Sequence, residues 1–296
     1  MRLLLVANPF ATRVTEERIA AVGRELERAG EVETVRTERP GHAVDLVTQA
    51  GRDGVDAILV YSGDGGFNEA LNGLEADVPL GFLPGGRSSV LPRALGVPSD
   101  PLVAARRVAD ALAQGRTRRI TVGRVNGRRF GFSAGIGIDA EAVRWVEAHR
   151  ERTDGKRPGD LAFAMAVVRA IAAHGGHIEP QLEVKGLGRG AIAFLANTRP
   201  YTYAKRLPLP ILPEARFELG LDVVAPVRIR RRTVVGTAAR LLSGHARGDA
   251  YLYAHDRDRV EIVCDRALPL HADGEDLGDV EEAVFEAERS AVSVLV

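Results

Sequence analysis

Two short glycine-rich loops contain the side chains of this sequence that are best suited to chemistry. The first loop reads SGDGG at 62–66, with an aspartate between glycines, and the second reads PGGRSS at 84–89. Glycines let a phosphate approach bare backbone N–H groups, and Arg87 adds a planar cation suited to phosphate. An aspartate would repel phosphate unless a cation lay between them, so Asp64 indicates Mg2+ carried with a nucleotide.

Each loop follows an apolar run that is typical of a buried strand, and each precedes a helical pattern. The runs are DAILVY at 56–61 and PLGFL at 79–83. Ligands of open α/β sheets collect at the carboxyl ends of strands, so two such loops predict a nucleotide site. Ordinary turns are the alternative for either loop alone, because glycine and aspartate are common in turns. Neither the P-loop nor the dinucleotide fingerprint is present.

The hydrophobic periodicity predicts two domains. Residues 1–116 alternate between short strand-like runs and amphipathic stretches, which indicates an α/β domain with a parallel sheet. From 117 to 296 a two-residue alternation dominates, which predicts a mainly antiparallel β-sandwich with helices. Two of those helices are expected within 139–176, around a charged loop at 151–160.

Composition excludes several classes of protein. Lys+Arg and Asp+Glu both number 40 in 296 residues, so no global basic field indicates a nucleic-acid partner. The single Cys264 excludes an internal disulfide and a thiolate metal cluster. The N-terminal apolar run is too short for a signal peptide or a membrane span. We therefore expect a cytoplasmic protein without a transmembrane segment; peripheral contact with the inner face of the membrane and a homodimer stay open.

The first loop and the helix after it carry a family resemblance. YSGDGGFNEALNGL at 61–74 is similar to the Gly-Gly-Asp-Gly-Thr-x-Asn-Glu-x-x-Asn-Gly-Leu signature of the diacylglycerol kinase and sphingosine kinase superfamily. Five further stretches resemble that superfamily in the same order along the chain: ANPFA (7–11), TERPGHAVDL (37–46), LPGGRSSVLPRALGVP (83–98), FSAGIGIDAEAV (132–143) and DGEDLG (273–278).

The resemblance implies a phosphofructokinase-like N-terminal domain, a C-terminal β-sandwich, and ATP and Mg2+ as cofactors. It implies a lipid substrate at a membrane surface, phosphorylated on a hydroxyl, with diacylglycerol or a similar lipid as the acceptor. Glu275 occupies the position of the proton acceptor, and Asp64 is the second catalytic candidate. The implied nucleotide-binding positions are Asn8, Thr37, Ser62, Gly63, Asp64, Gly65, Gly66, Phe67, Asn68, Gly86, Arg87 and Ser88. Glu218 lies in a stretch that loosely matches an aspartate-rich element near an auxiliary Mg2+.

Several positions depart from the superfamily pattern. Gly66 and Arg87 each stand where threonine is usual, and Ser89 with Val90 replaces an Asn-Asp pair. Two alternatives therefore stay open. One is an NAD kinase, whose family shares the Gly-Gly-Asp-Gly turn. The other is a non-catalytic protein that binds a nucleotide or a lipid.

Three other stretches have two interpretations each. VRIRRR at 227–232 is interpreted as a solvated strand edge guarded by arginine, with contact to anionic lipid headgroups as the alternative. LAFAMAVVRAIAAH at 161–174 is interpreted as a core helix, with a lipid groove as the alternative. DGE at 273–275 is a hairpin turn unless the other motifs accompany it.

Overall fold

The structure, a computed structural model, describes residues 1–152, 169–204 and 207–296. The chain forms two units, one of Met1–Val122 with Ser290–Val296 and one of Gly123–Arg289. The first unit thus continues past the boundary expected at 116 and also includes the last residues of the chain. These last residues belong there because Val294 pairs in parallel with Leu80, which extends the first sheet.

The first unit is an α/β fold with a parallel sheet, as the sequence predicts. Its strands lie in the order β2–β1–β3–β4, and every described pairing among them is parallel. Strands β3 and β4 are buried along their whole length, which explains their continuous apolar runs. The elements are β1 (Arg2–Ala7), α1 (Glu16–Leu26), β2 (Glu31–Arg36), α2 (His42–Asp53), β3 (Ala57–Ser62), α3 (Asp64–Gly73), β4 (Leu80–Pro84), α4 (Val90–Ala94) and α5 (Pro101–Ala113).

Helix α1 shows how the local sequence sets the boundaries of an element. Thr15 caps its start by accepting a hydrogen bond from the backbone N–H of Arg18. Gly30 predicts a helix end, because glycine is common just past the C-terminus of a helix, but the helix already ends at Leu26. Gly30 instead allows a close backbone approach, because a Cβ atom there would lie 3.0 Å from the carbonyl carbon of Met1.

Helix α2 depends on a neighbouring helix for its cap. Its N-cap residue Gly41 has a φ of 79° and no capping side chain. The carboxylate of Glu69, on α3, accepts hydrogen bonds from the backbone N–H groups of Gly41 at 2.9 Å and Ala43 at 3.1 Å. Glu69 belongs to the stretch that carries the family resemblance, and the structure gives it this capping role.

The second unit is built mainly from antiparallel strands, with a β-sandwich as the sequence predicts. Its strands follow the order β14–β13–β10–β7–β15, and the described pairings among these are antiparallel. The elements from the unit boundary onward are β5 (Arg118–Val125), β6 (Arg128–Phe130), β7 (Ser133–Ile136), α6 (Ile138–Arg152), β8 (Leu182–Val184), β9 (Gly188–Gly190), β10 (Ala193–Ala196), β11 (Thr202–Ala204), β12 (Leu207–Leu209), β13 (Leu221–Pro226), α7 (Val234–Leu242), β14 (Tyr251–Arg257), β15 (Arg259–Ala272) and β16 (Glu275–Val294).

Two predicted strands of the second unit form one strand in the structure. The runs RVEIVC and LPLHADGE predict two strands, but the structure has one strand, β15, with a shift of register between Val263 and Leu268. This irregularity breaks the two-residue alternation on which the prediction depended.

The expected loop at 151–160 and the apolar helix at 161–174 fall largely outside the described residues. None of the helices in the described part of the chain has the length and apolar composition needed to cross a bilayer.

Replacement of Glu69 by alanine should destabilise the first unit. Two backbone N–H groups at the start of α2 would lose their acceptor, at a cost of about 1 kcal/mol. Thermal or chemical unfolding measures the loss. Glu75→Ala is the matched control, since Glu75 makes only an exposed ion pair with Arg52 and its loss should cost under about 0.5 kcal/mol. Equal stabilities of the two variants would contradict the capping role.

Candidate functional site

The carboxyl ends of the four parallel strands carry the expected nucleotide-binding residues of the first unit. Asn8 follows β1, Thr37 follows β2, Ser62 ends β3 and Gly86 follows β4. Strands β2 and β3 lie on opposite sides of β1 within the sheet, so the chain changes its direction across the sheet between β2 and β3. Such a change of direction opens a crevice at the carboxyl ends of the strands, where α/β proteins bind ligands.

Backbone hydrogen bonds hold these loops together. The N–H of Asn8 donates to the carbonyl of Tyr61 at 3.0 Å, and the N–H of Gly85 donates to the carbonyl of Ser62 at 2.7 Å. The carbonyl of Gly85 in turn accepts from the N–H of Arg13 at 2.9 Å. The loops after β1, β3 and β4 therefore form one connected edge of the sheet.

Gly63 and Gly86 bring the two glycine-rich loops into direct contact. A Cβ atom on Gly86 would lie 2.8 Å from the Cα atom of Gly63, closer than real side chains approach a backbone atom. Gly63 has an extended backbone, with φ −93° and ψ −177°, and a Cβ atom there would lie 3.5 Å from the Cα atom of Gly86, an ordinary contact. Space therefore requires glycine at position 86 and not at position 63. Any side chain on Gly86 would push the loops apart.

Asp64 connects the starts of two helices. It is the first residue of α3 and only 6% exposed, and its Oδ1 accepts a hydrogen bond from the backbone N–H of Leu91 in α4 at 3.3 Å. Ser89, which precedes α4, has a φ of 45° and donates from Oγ to the carbonyl of Gly86 at 3.2 Å. Asp64 thus orders the second loop, and its role toward Mg2+ stays a prediction.

The departure at Gly66 is coupled to Ser62. A Cβ atom on Gly66 would lie 2.8 Å from Cβ of Ser62 and closer still to its hydroxyl. That hydroxyl is buried and has no hydrogen-bond partner among the described residues. The signature has glycine at the position of Ser62 and threonine at that of Gly66. In this chain the hydroxyl beside the first turn of α3 therefore belongs to Ser62 and not to residue 66.

The remaining predicted positions of the first unit differ in exposure. Phe67 is fully buried and packs edge to face on Phe82, with ring centroids 5.3 Å apart, so its side chain contributes to the core. Asn68 is also buried and accepts a hydrogen bond from Nδ2 of Asn72 at 3.1 Å. Arg87 is exposed and makes no ion pair with a described residue. Gly65 and Ser88 are partly buried.

In the second unit, the DGE stretch is a hairpin turn with a buried carboxylate. Asp273 and Gly274 both have positive φ values, 51° and 76°, and connect β15 to β16. The Asp273 carboxylate accepts backbone hydrogen bonds from Gly131 at 2.5 Å, Phe132 at 2.9 Å and Ser133 at 3.2 Å. The hairpin interpretation and the family motif therefore describe the same residues, and Asp273 fixes the backbone beside Glu275.

Glu275 is the first residue of β16 and is held by an arginine. Its Oε2 lies 2.5 Å from a terminal guanidinium nitrogen of Arg128, on β6. The carboxylate is 24% exposed, so it is reachable from solvent and yet fixed in direction. The sequence does not indicate Arg128, because nothing in its pattern shows that β6 lies beside the turn at 273–275.

The second unit also contains a buried Asp-His-Tyr cluster that the sequence pattern does not predict. Oδ2 of Asp139 lies 2.5 Å from the hydroxyl of Tyr201 and 2.6 Å from Nε2 of His271. Burial alone would raise the pKa of Asp139, but the charge of His271 and the two hydrogen bonds hold that pKa below its usual value. A Cβ atom on Gly135 would lie 2.8 Å from Oδ2 of Asp139. The first glycine of FSAGIG is therefore a sequence feature that marks the close packing at this cluster.

The structure gives no support to a metal site at Glu218. That side chain is exposed, and no group of three or more metal-ligating side chains forms among the described residues. The nearby Asp222 is fully buried, and burial raises its pKa. It contacts Nδ1 of His255 at 2.7 Å and the backbone N–H of Asp256 at 3.0 Å. The auxiliary metal site stays a prediction.

Comparison with family models divides the chain into two matching parts. Residues 2–125 match the diacylglycerol kinase catalytic domain, and residues 133–296 match the YegS C-terminal NAD kinase beta sandwich-like domain.

Individual relatives match almost the whole chain. A diacylglycerol kinase of Bacillus subtilis (strain 168) is 27% identical over 283 residues, which is 93% of this chain and 89% of that protein. A diacylglycerol kinase of Staphylococcus carnosus (strain TM300) is 29% identical over 285 residues, 93% of this chain and 88% of that protein. The crystal structure of a diacylglycerol kinase from Bacillus anthracis str. Sterne superimposes with a TM-score of 0.72 at 17% identity, covering 99% and 96% of the two chains. This last likeness shows the fold.

The Ser62–Gly66 pair can be tested by a double-mutant cycle of stability. Gly66→Ala alone should destabilise the protein by about 1–3 kcal/mol, because the added methyl group collides with a buried side chain. In the Ser62→Gly background the same change should cost at least about 1 kcal/mol less. Gly23→Ala is the control, since a Cβ atom there meets nothing closer than 3.9 Å. Additive effects at 62 and 66 would refute the coupling.

Asp139→Asn should lower the free energy of unfolding by about 3 kcal/mol near neutral pH, because the buried cluster loses its carboxylate. The folded-state pKa of Asp139 is lowered. Its contribution is therefore complete above the unfolded-state pKa of about 3.9 and is lost as pH falls below that value. Denaturant unfolding at a series of pH values should show the difference from wild type shrinking below about pH 4. A difference that grows on acidification would contradict this; exposed Asp279→Asn is the control.

Proposed function

Because the chain belongs to the diacylglycerol kinase and sphingosine kinase superfamily, we propose that it transfers the γ-phosphoryl group of ATP to a hydroxyl of diacylglycerol or a similar lipid. The family is one of lipid kinases. ATP, Mg2+ and the acceptor are the parts of this proposal that go beyond family membership.

The observation that supports it most is the contact between Gly63 and Gly86 at the carboxyl edge of the sheet. Two loops that approach so closely leave backbone N–H groups without side chains over them, which is what a bound phosphate chain requires. Arg87, exposed beside Gly86, supplies a cation to the same loop. These features of the first unit support a nucleotide site there.

A metal that accompanies ATP fits the carboxylate available in these loops. Mg2+ keeps several waters and is commonly held through one or two carboxylates together with substrate phosphates. Asp64 is such a carboxylate, and the described residues contain no larger ligand group. Mg2+ would neutralise charge on the phosphates, while Asp64 holds the start of α4 in place.

Glu275 supplies the acid–base chemistry of the proposal. A lipid hydroxyl is a weak nucleophile until a positioned base accepts its proton. Glu275 is partly exposed, and Arg128 and the Asp273 hairpin restrict its orientation. The second unit therefore offers a fixed carboxylate to the acceptor hydroxyl.

The two alternatives differ in what supports them. The match of residues 133–296 to an NAD kinase beta sandwich-like domain keeps phosphorylation of NAD as a second candidate. The non-catalytic alternative is motivated by Gly66, Arg87 and Ser89. Ser62 weakens the first of these three grounds, because it carries a hydroxyl in the space beside Gly66.

Transfer of labelled phosphate from ATP tests the proposal on a panel of diacylglycerol, other hydroxyl lipids and NAD. We expect labelled diacylglycerol or a related lipid with the wild type, and a loss of kcat of about 100-fold or more in Glu275→Gln. ATP binding, measured by calorimetry, should be retained by this variant because Glu275 is not part of the loops of the first unit.

The matched control is Glu281→Gln, an exposed glutamate on the same strand β16. Its activity should equal that of the wild type. Labelling of NAD alone would favour the NAD kinase alternative. ATP binding without transfer to any acceptor would favour the non-catalytic one.

A further inference from the structure

Helix α7 has apolar side chains on a buried face and also on an exposed face. Leu241 is buried in the apolar cluster that also contains Ile178 and Ile211, and Val234 packs against it. Val235 and Leu242 are seven residues apart and share another face of the helix, where they are 80% and 44% exposed. The apolar arc of α7 therefore extends beyond the side that packs on the protein.

Such exposure is concentrated on this helix. Among the described residues of the second unit, three large hydrophobic side chains are exposed, namely Leu207, Val235 and Leu242. Two of the three lie on one helix of nine residues. Scattered apolar side chains are normal on a surface, whereas a contiguous apolar face marks an interaction site.

The segment that contains this helix is rich in arginine. Residues 227–248 contain six arginines and no aspartate or glutamate, in a chain whose net charge is zero. Glu179 lies 4.0 Å from Arg228 and Glu214 lies 3.3 Å from Arg247. Arg230, Arg232 and Arg240 are exposed and make no ion pair within 4.0 Å with a described residue. A hydrogen bond with His177 lowers the pKa of Glu179, and the charge of Arg230 adds to this effect. We call Val235, Leu242 and these three arginines the α7 patch. The strand edge expected at 227–232 is reduced to one bridge between Ile229 and Ile178.

We propose that the α7 patch docks on an anionic phospholipid membrane. A short helix with an apolar face and flanking arginines can lie in the interfacial plane, with its apolar side chains among the acyl chains. Arginine side chains reach outward to the headgroups, and each basic residue near an anionic leaflet strengthens binding about fivefold. The inference names the partner surface of the proposed lipid kinase and rests on that function for its biological purpose.

Other occupants match the α7 patch less well. A second copy of the chain packed by two-fold symmetry on the same face would bring Arg230, Arg232 and Arg240 of both copies together. Nucleic acid would accept the arginines, but its phosphate backbone offers no apolar surface to Val235 and Leu242. An anionic bilayer offers both negative charge and acyl chains.

Vesicle flotation of the full chain, without ATP, tests the docking directly. The vesicles are phosphatidylcholine alone and phosphatidylcholine mixed with phosphatidylglycerol. One variant, Arg230→Gln with Arg232→Gln, removes two charges, and another, Val235→Asp with Leu242→Asp, removes the apolar contact. The controls are Arg24→Gln with Arg28→Gln and, in α5, Val103→Asp, which all lie on exposed positions of the first unit.

The wild type should bind the anionic vesicles, more weakly at high salt, and should bind the neutral ones poorly. The two-arginine variant should bind about 30-fold more weakly. The Val235/Leu242 variant should bind at least about tenfold more weakly. Both control variants should bind like the wild type, and unfolding curves should show that every variant is folded.

The proposal is overturned if both patch variants bind vesicles as the wild type does, or if neutral and anionic vesicles bind equally. It is also overturned if the variants change only the oligomeric state, which would assign the patch to a second copy.

Kinase assays distinguish a failure of the docking proposal from a failure of the proposed function. The patch variants should phosphorylate short-chain diacylglycerol in detergent normally and lose activity only on vesicles, whereas failure of the proposed function would abolish both activities and leave vesicle binding intact.

Discussion

The steric contact between Gly63 and Gly86 is the constraint on which the first unit's site depends. The two loops extend from neighbouring strands, and β3 and β4 pair up to Ser62 and Pro84. The backbones meet with no room for a Cβ atom on Gly86. Next to this contact, Asp64 at the start of α3 accepts a hydrogen bond from Leu91 in α4, which connects the two helices. The chemistry of the loops is therefore a consequence of their packing.

Several acidic residues of the family motifs stabilise the fold by accepting hydrogen bonds from backbone N–H groups. Asp64 accepts a backbone N–H at the start of α4, Glu69 caps α2, and Asp273 holds three consecutive N–H groups. A carboxylate bonded to backbone groups in a buried loop is costly to replace, because the N–H groups would lose their partners. Loss of activity on mutating such a residue therefore does not by itself identify a catalytic group. The carboxylate of Glu275 is in addition paired with the side chain of Arg128.

Charge balance in the whole chain conceals an uneven distribution. The net charge of zero argues against a protein that binds polyanions over its entire surface. The segment around α7 is nevertheless free of acidic residues and carries exposed apolar side chains. This surface is the basis of the membrane docking that we propose, an attachment that is local and reversible.

The sequence by itself determined the fold class, the order of the elements in the first unit and the two glycine-rich loops. These features depend on local patterns, namely apolar runs, helical periodicity and turn residues, which can be recognised within short stretches of the sequence. The sequence could not show that Ser62 fills the space beside Gly66, that Arg128 holds Glu275, or that Asp139 meets His271 and Tyr201. Most of these partners lie far apart in the chain, and strand pairing and side-chain packing bring them together. Tertiary structure alone decided them, because each depends on distances that no local pattern encodes.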